Sequence, residues 1–162
     1  MVVSNRWILP DGVVDVLPAQ AQLLETIRGR MLKLFGSWGY DLVIPPMLEF
    51  TDSLHSAAGE DLELLTFRTV DPLSGQTMGV RPDITPQIAR IDAHTLRNRG
   101  PSRLCYVGTV LHTRARDALS SRTPISIGLE LFGEGHLSAD IEVIRLFLKS
   151  LAINNIRDIC LD

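Results

Sequence analysis

The sequence has few cysteines, no paired histidines, no long apolar run, no glycine-rich phosphate loop and no excess of positive charge. Each shortage excludes something. Its two cysteines, Cys105 and Cys160, lie far apart within apolar runs; they read as buried thiols, and their spacing is no zinc knuckle. His55, His94, His112 and His136 never fall three or four residues apart, so the zinc-hydrolase pattern is missing and no metal site is expected. Neither GxGxxG nor GxxxxGK[ST] occurs, and the sequence implies no cofactor. Sixteen basic and 19 acidic residues give a net charge of -3, which does not favour a nucleic-acid partner. No apolar run reaches bilayer-spanning length, and Met1 to Trp7 has no signal-peptide pattern, so a cytoplasmic protein without a membrane partner is expected.

What is present is one ordinary core. A chain of 162 residues with 45% apolar content can fill a single domain. Pro18 suits the first turn of a helix, and Leu24, Ile27, Met31, Leu34, Phe35 and Trp38 recur at threes and fours, predicting a helix over about 19–37 ended by Gly39. Leu42 to Ile44 reads as a short strand closed by Pro45-Pro46. Residues 51–61 read as a loop or short irregular helix. Leu64–Val70 and Gln76–Val80 read as a hairpin. Thr85-Pro86 reads as a helix cap, with Ile88, Ile91 and Leu96 on the apolar side. Strands over 103–111 and 124–132, joined by a polar loop, should pair antiparallel. Val143, Ile144, Phe147, Leu148 and Leu151 give the last helix its buried stripe. The run 156–162 reads as a strand in which the sequence stops. This order suits an α+β domain better than a doubly wound one.

Four ordered segments carry a resemblance. They are Leu9-Pro10-Asp11-Gly12 with Asp15-Val16-Leu17-Pro18; Gly39-Tyr40 through Pro45-Pro46-Met47-Leu48-Glu49; Val80-Arg81-Pro82-Asp83-Ile84-Thr85-Pro86-Gln87-Ile88-Ala89-Arg90; and Cys105-Tyr106-Val107-Gly108-Thr109-Val110-Leu111 through Gly128-Leu129-Glu130-Leu131-Phe132-Gly133. Together they resemble the catalytic domain of histidyl-tRNA synthetase over nearly the whole chain. The second is similar to the first class II motif, which implies that Pro45 and Pro46 lie near a dimer interface. The fourth is similar to the second class II motif. The resemblance implies a class II aminoacyl-tRNA synthetase-like catalytic domain, an antiparallel β-sheet flanked by helices. Residues 1–162 would form its N-terminal part, incomplete at the C-terminus.

The departures from that pattern bear on function. Asp83 stands where a synthetase has the glutamate that grips the amino group; Thr85 is retained. His112 replaces an arginine on the phosphate side of ATP, Arg114 replaces a glutamate two residues on, and Ser126 replaces a substrate-facing glutamine. Glu130 matches an acidic residue of the amino-acid pocket. Adenylate formation concentrates negative charge that a fixed guanidinium meets with a two-pronged contact. Histidine is shorter and carries no fixed charge, and losing one preorganised donor costs about 100- to 1,000-fold in rate. No catalytic residue is assigned.

This combination is similar to the regulatory subunits of ATP phosphoribosyltransferase, the first enzyme of histidine biosynthesis. The similarity implies a non-catalytic subunit that assembles with the short-form ATP phosphoribosyltransferase catalytic subunit, usually as a hetero-octamer built on synthetase-like dimers. It also implies a part in feedback inhibition by histidine. The histidine or ligand pocket would comprise Asp83, Thr85, His112, Arg114, Ser126 and Glu130. A divergent histidyl-tRNA synthetase and a synthetase-like amino-acid sensor are the alternatives. Residue by residue, simpler roles compete: a turn acid for Asp83, a helix cap for Thr85, a strand-end histidine for His112, a solvated loop for Arg114, Arg116 and Arg122, and a core or interface position for Tyr106 and Trp38. Glu130 alternates with Leu129 and Leu131, so it faces either solvent or a polar cavity.

Overall fold

The first helix forms where the apolar spacing predicts it. In the computed structural model, which describes residues 7–55, 60–115, 117 and 120–160, α1 spans Pro18–Ser37. Its end is a left-handed turn: Gly39 has φ 82°, and the Tyr40 N–H reaches back to the Phe35 carbonyl at 3.1 Å. β1 (Asp41–Leu42) follows, and the Val43 N–H still bonds the Cys105 carbonyl at 2.9 Å before Pro45 ends the ladder.

A strand that the sequence pattern did not suggest comes next. β2 (Leu48–Phe50) is short and lies directly after the proline pair. α2 (Thr51–His55) and α3 (Glu60–Leu65) occupy the stretch read as loop or irregular helix. The strand expected from Leu64 starts later, because Leu64 and Leu65 close α3. Thr66 ends that helix with its hydroxyl on the Leu62 carbonyl at 2.7 Å, and β3 (Phe67–Val70) begins only then. β4 (Thr77–Val80) returns through a turn organised by Asp71, whose carboxylate accepts from the Leu73 and Ser74 N–H groups. These strands form a small antiparallel sheet in the order β2-β4-β3.

The larger sheet has the order β1-β5-β6. β5 (Ser102–Thr109) and β6 (Ile125–Phe132) pair antiparallel from Ser102↔Phe132 to Thr109↔Ile125, as expected; β1 runs parallel to β5. Side chains alternate between two faces. On one face Leu104 and Tyr106 join Ile84, Ile88 and Val110 in a buried cluster under α4 (Thr85–Arg90). On the other, Cys105 packs with Phe35, Tyr40 and Leu146, with Ile127 and Leu129 beside them, under α1 and α5 (Leu137–Ala152).

Four expectations need correction here. The apolar side read through Ile91 and Leu96 does not belong to one α-helix; from Ile91 to Leu96 the helix widens into a π-helical turn ended by Arg97 at φ 51°, and Leu96 is exposed. The core residue of α5 is Leu146, fully buried against the sheet, while Ile144 and Phe147 are exposed. Residues 156–160 form no strand: Asn155 and Asp158 both take left-handed backbone angles that interrupt an extended run. Cys105 is buried, but Cys160 is exposed, and no disulfide joins them. Among the described residues no helix is long and apolar enough to cross a membrane.

Glu142 ties α5 to the sheet through polar contacts. Arg103 on β5 grips Glu142 with two prongs, Nε to Oε1 at 2.7 Å and Nη2 to Oε2 at 2.8 Å. The Tyr40 hydroxyl donates to the same Oε1 at 3.0 Å. The Arg103 contact, helped by Tyr40 and opposed by partial burial, holds the Glu142 carboxyl below the usual carboxylate range.

Candidate functional site

On the α4 face of the larger sheet, Ser126, Gly128 and Glu130 recur at every second residue of β6 and therefore point the same way. Opposite them on β5 stand Gly108, Tyr106 and Leu104. Glycine at 128 leaves room for the Tyr106 ring: a Cβ there would come within 2.5 Å of its Cζ. Glycine at 108 leaves room for the buried Arg81 guanidinium, which a Cβ would strike. Arg81 donates to the Thr109 carbonyl at 3.0 Å and the Pro45 carbonyl at 2.9 Å. It thereby fastens the turn before α4 to the end of β5 and to the proline pair. Burial lowers the pKa of its guanidinium, against the field of Glu49. Glu49 itself holds Gln87 and Arg90 of α4, completing the support from below.

The turn so fastened carries Asp83 and Thr85. Thr85 is not the cap of α4. Ile84 occupies that position, Thr85 is already helical, and no side chain caps the helix. Its hydroxyl is turned toward the sheet instead, 2.9 Å from Glu130 Oε1 and 3.0 Å from the Tyr106 hydroxyl. Asp83 accepts from the Ile84 N–H at 2.7 Å through one carboxylate oxygen. Burial pushes the Glu130 carboxyl above its ordinary range; the Thr85 hydrogen bond opposes that shift and the nearby Asp83 charge reinforces it. Burial likewise raises the Tyr106 phenol.

A cavity of about 460 Å³ opens beside this cluster, with Asp83, His112, Ser126, Ser121 and Leu62 among its walls. Among the described residues lining it, none is lysine or arginine. His112 is buried, and its Nε2 lies 2.9 Å from the Pro82 carbonyl. A carbonyl only accepts, so Nε2 carries the hydrogen and the ring is committed to the protein's own backbone. Arg114 is exposed and does not line the cavity. Arg122 is a structural residue: it donates to the His112 carbonyl at 3.1 Å and the Asp11 carbonyl at 3.2 Å, and it covers the Phe67 ring. Arg116 lies outside the described residues.

The structure therefore gathers Asp83, His112 and Ser126 on one cavity and links Thr85 and Glu130 next to it. The sequence reading makes Tyr106 a core or interface residue. It is buried, but its hydroxyl belongs to the site, and the glycine opposite it was the available signal. Pro45 is buried inside the chain, whereas Pro46 is exposed between the exposed Ile44 and Met47.

Residues 12–162 match the family model described as histidyl-tRNA synthetase. The chain belongs to the histidyl-tRNA synthetase family. Within the larger family its similarities are specific. A protein of Stutzerimonas stutzeri named ATP phosphoribosyltransferase regulatory subunit is 54% identical over 162 residues, covering 100% of this chain and 41% of the relative. A protein of the same name from Saccharophagus degradans is 55% identical over 158 residues, 98% of this chain and 40% of the relative. The crystal structure of an ATP phosphoribosyltransferase regulatory subunit/histidyl-tRNA synthetase from Bacillus halodurans superposes with a TM-score of 0.80 at 31% identity, covering 94% of this chain and 39% of that one. The chain thus spans about two fifths of the length of these relatives. Apo histidyl-tRNA synthetase of S. aureus shares the class II fold, with a TM-score of 0.74 at 21% identity, 90% of this chain and 39% of that one.

Proposed function

We propose that the chain is the N-terminal part of the synthetase-like domain of an ATP phosphoribosyltransferase regulatory subunit, a non-catalytic partner of the short-form catalytic subunit in the first step of histidine biosynthesis. The observation that carries this reading is the state of His112. The family's adenylating members place a guanidinium at that position to meet phosphate charge. Here an imidazole ring sits there, bonded to the Pro82 carbonyl, and Arg114 is exposed outside the cavity. The relatives' shared name supports the same reading.

The amino-acid side of the site is better preserved than the nucleotide side. Asp83 and Glu130 stand close together, and no Lys or Arg hydrogen-bonds to either among the described residues. Two acids without a cation suit a ligand that brings its own positive charge. We take that ligand to be histidine, acting in feedback control. Ile44, Met47 and Leu48, exposed around Pro46, form an apolar strip suited to self-association as a synthetase-like dimer and, with catalytic subunits, to a hetero-octamer in the cytoplasm.

Mixing the full-length protein with a short-form ATP phosphoribosyltransferase catalytic subunit tests the proposal. Co-elution and increased turnover are expected, with inhibition on adding histidine. Neither complex nor stimulation would refute it. The competing synthetase reading predicts histidine-dependent pyrophosphate exchange by the protein alone.

A further inference from the structure

The hydroxyls beside Glu130 have a fixed order of donation. A carboxylate oxygen only accepts, so Thr85 gives its single hydrogen to Glu130 Oε1. Thr85 Oγ1 is then left as the acceptor for the Tyr106 hydroxyl, 3.0 Å away. Ser126, on the same face of β6 as Gly128 and Glu130, stands on the cavity wall. The chain Tyr106, Thr85, Glu130 thus runs to the carboxylate, each hydroxyl donating to the next. It crosses three elements: β6, β5 and the start of α4. Thr85 joins the helix to β6 directly through Glu130, and Tyr106 adds the link to β5.

That link needs the ring to lie flat against β6. The register sets Tyr106 opposite Gly128, where any side chain would collide with the ring. Tyr106 and Gly128 therefore serve one contact. The Tyr106 ring is buried, so the ring alone would satisfy packing; the hydroxyl's placement on Thr85 is an additional feature.

We propose that Tyr106 is a positioning residue of the ligand pocket: seated on Gly128, it orients Thr85 and through it the Glu130 carboxylate as the receptor for the cationic group of a small amino acid. The inference rests on the histidine-pocket reading above and adds to it a residue that does not touch the ligand. Titratable groups facing Glu130 are Asp83, from the turn before α4, and Tyr106 on β5.

Calorimetric binding of L-histidine to the full-length protein, measured across the acidic pH range, is the test. Tyr106→Phe removes one hydrogen bond and is expected to weaken binding about 2- to 10-fold. Thr85→Val should weaken it more, Thr85→Ser should restore it, and Gly128→Ala should behave like Tyr106→Phe because it displaces the ring. The Thr85 hydrogen bond opposes protonation of Glu130, so losing it moves the loss of affinity on acidification to higher pH. That shift should be clear in Thr85→Val and smaller in Tyr106→Phe. A tyrosine that only packs would change thermal stability and leave this pH profile alone. Tyr106→Phe binding with wild-type affinity and profile overturns the inference. Absence of binding by the wild type removes the pocket reading and the inference with it.

Discussion

Replacing Glu142 probes how α5 is held on the sheet. Two contacts depend on its carboxylate. The two-pronged Arg103 pair has side-chain exposures of 34% and 21%, so water screens it, and its coupling should be about 1 kcal/mol rather than the several of a fully buried pair. Tyr40 is almost entirely buried, and leaving its hydroxyl without an acceptor costs about 1 kcal/mol. Glu142→Ala should therefore lose about 2 kcal/mol in urea denaturation, while Glu142→Gln, which keeps an acceptor for Tyr40, should lose about 1. A double-mutant cycle with Arg103→Met isolates the pair. The pH dependence has a definite sign. The folded carboxyl is depressed, so its contribution is complete above the ordinary carboxylate range and disappears as pH falls through the folded pKa. Glu142→Gln should flatten that acid limb. An unchanged acid limb together with a coupling near zero would refute the reasoning.

Two further outcomes follow from burial. Gly108→Ala should destabilise the protein by about 1–3 kcal/mol in thermal denaturation, because the new methyl competes with the Arg81 guanidinium and approaches Ile84 Cδ1 at 3.3 Å; a neutral result would remove the packing argument. Of the two thiols, exposed Cys160 should react with a thiol reagent in the native protein, whereas Cys105 should react only on unfolding; burial, with the Asp41 charge adding, raises its pKa to about 11. Rapid native modification of Cys105 would contradict its placement under α1 and α5.

The sequence made the long elements legible because they bury one face over many residues. α1, the β5–β6 pair and α5 all declared themselves by period, and the pairing of β5 with β6 followed from the polar loop between them. What stayed hidden was short or decided by distant contacts. β2 is three residues after two prolines, with no periodicity to read. Leu64 and Leu65 looked like strand until Thr66 closed a helix over them. The apolar positions of α5 outnumber what the sheet can cover, so the pattern could not single out Leu146. At the site, motif resemblance led to Asp83, His112, Ser126 and Glu130, but local propensity misjudged Thr85. Threonine before proline favours a cap, and only the fold brings Glu130 and Tyr106, 45 and 21 residues away, to its hydroxyl.

β6 is bonded to a neighbour on one side only among the described residues. Its outer margin offers eight residues' worth of alternating donors and acceptors with no bulge or proline to blunt them. Such a margin is a template, and whatever extended segment reaches it first will be accepted. In a concentrated sample of this chain alone the nearest candidate is a second molecule, so assembly by strand exchange or precipitation is the hazard to manage. One lysine on that rim, away from the α4 face, is the least intrusive safeguard when the chain is produced by itself.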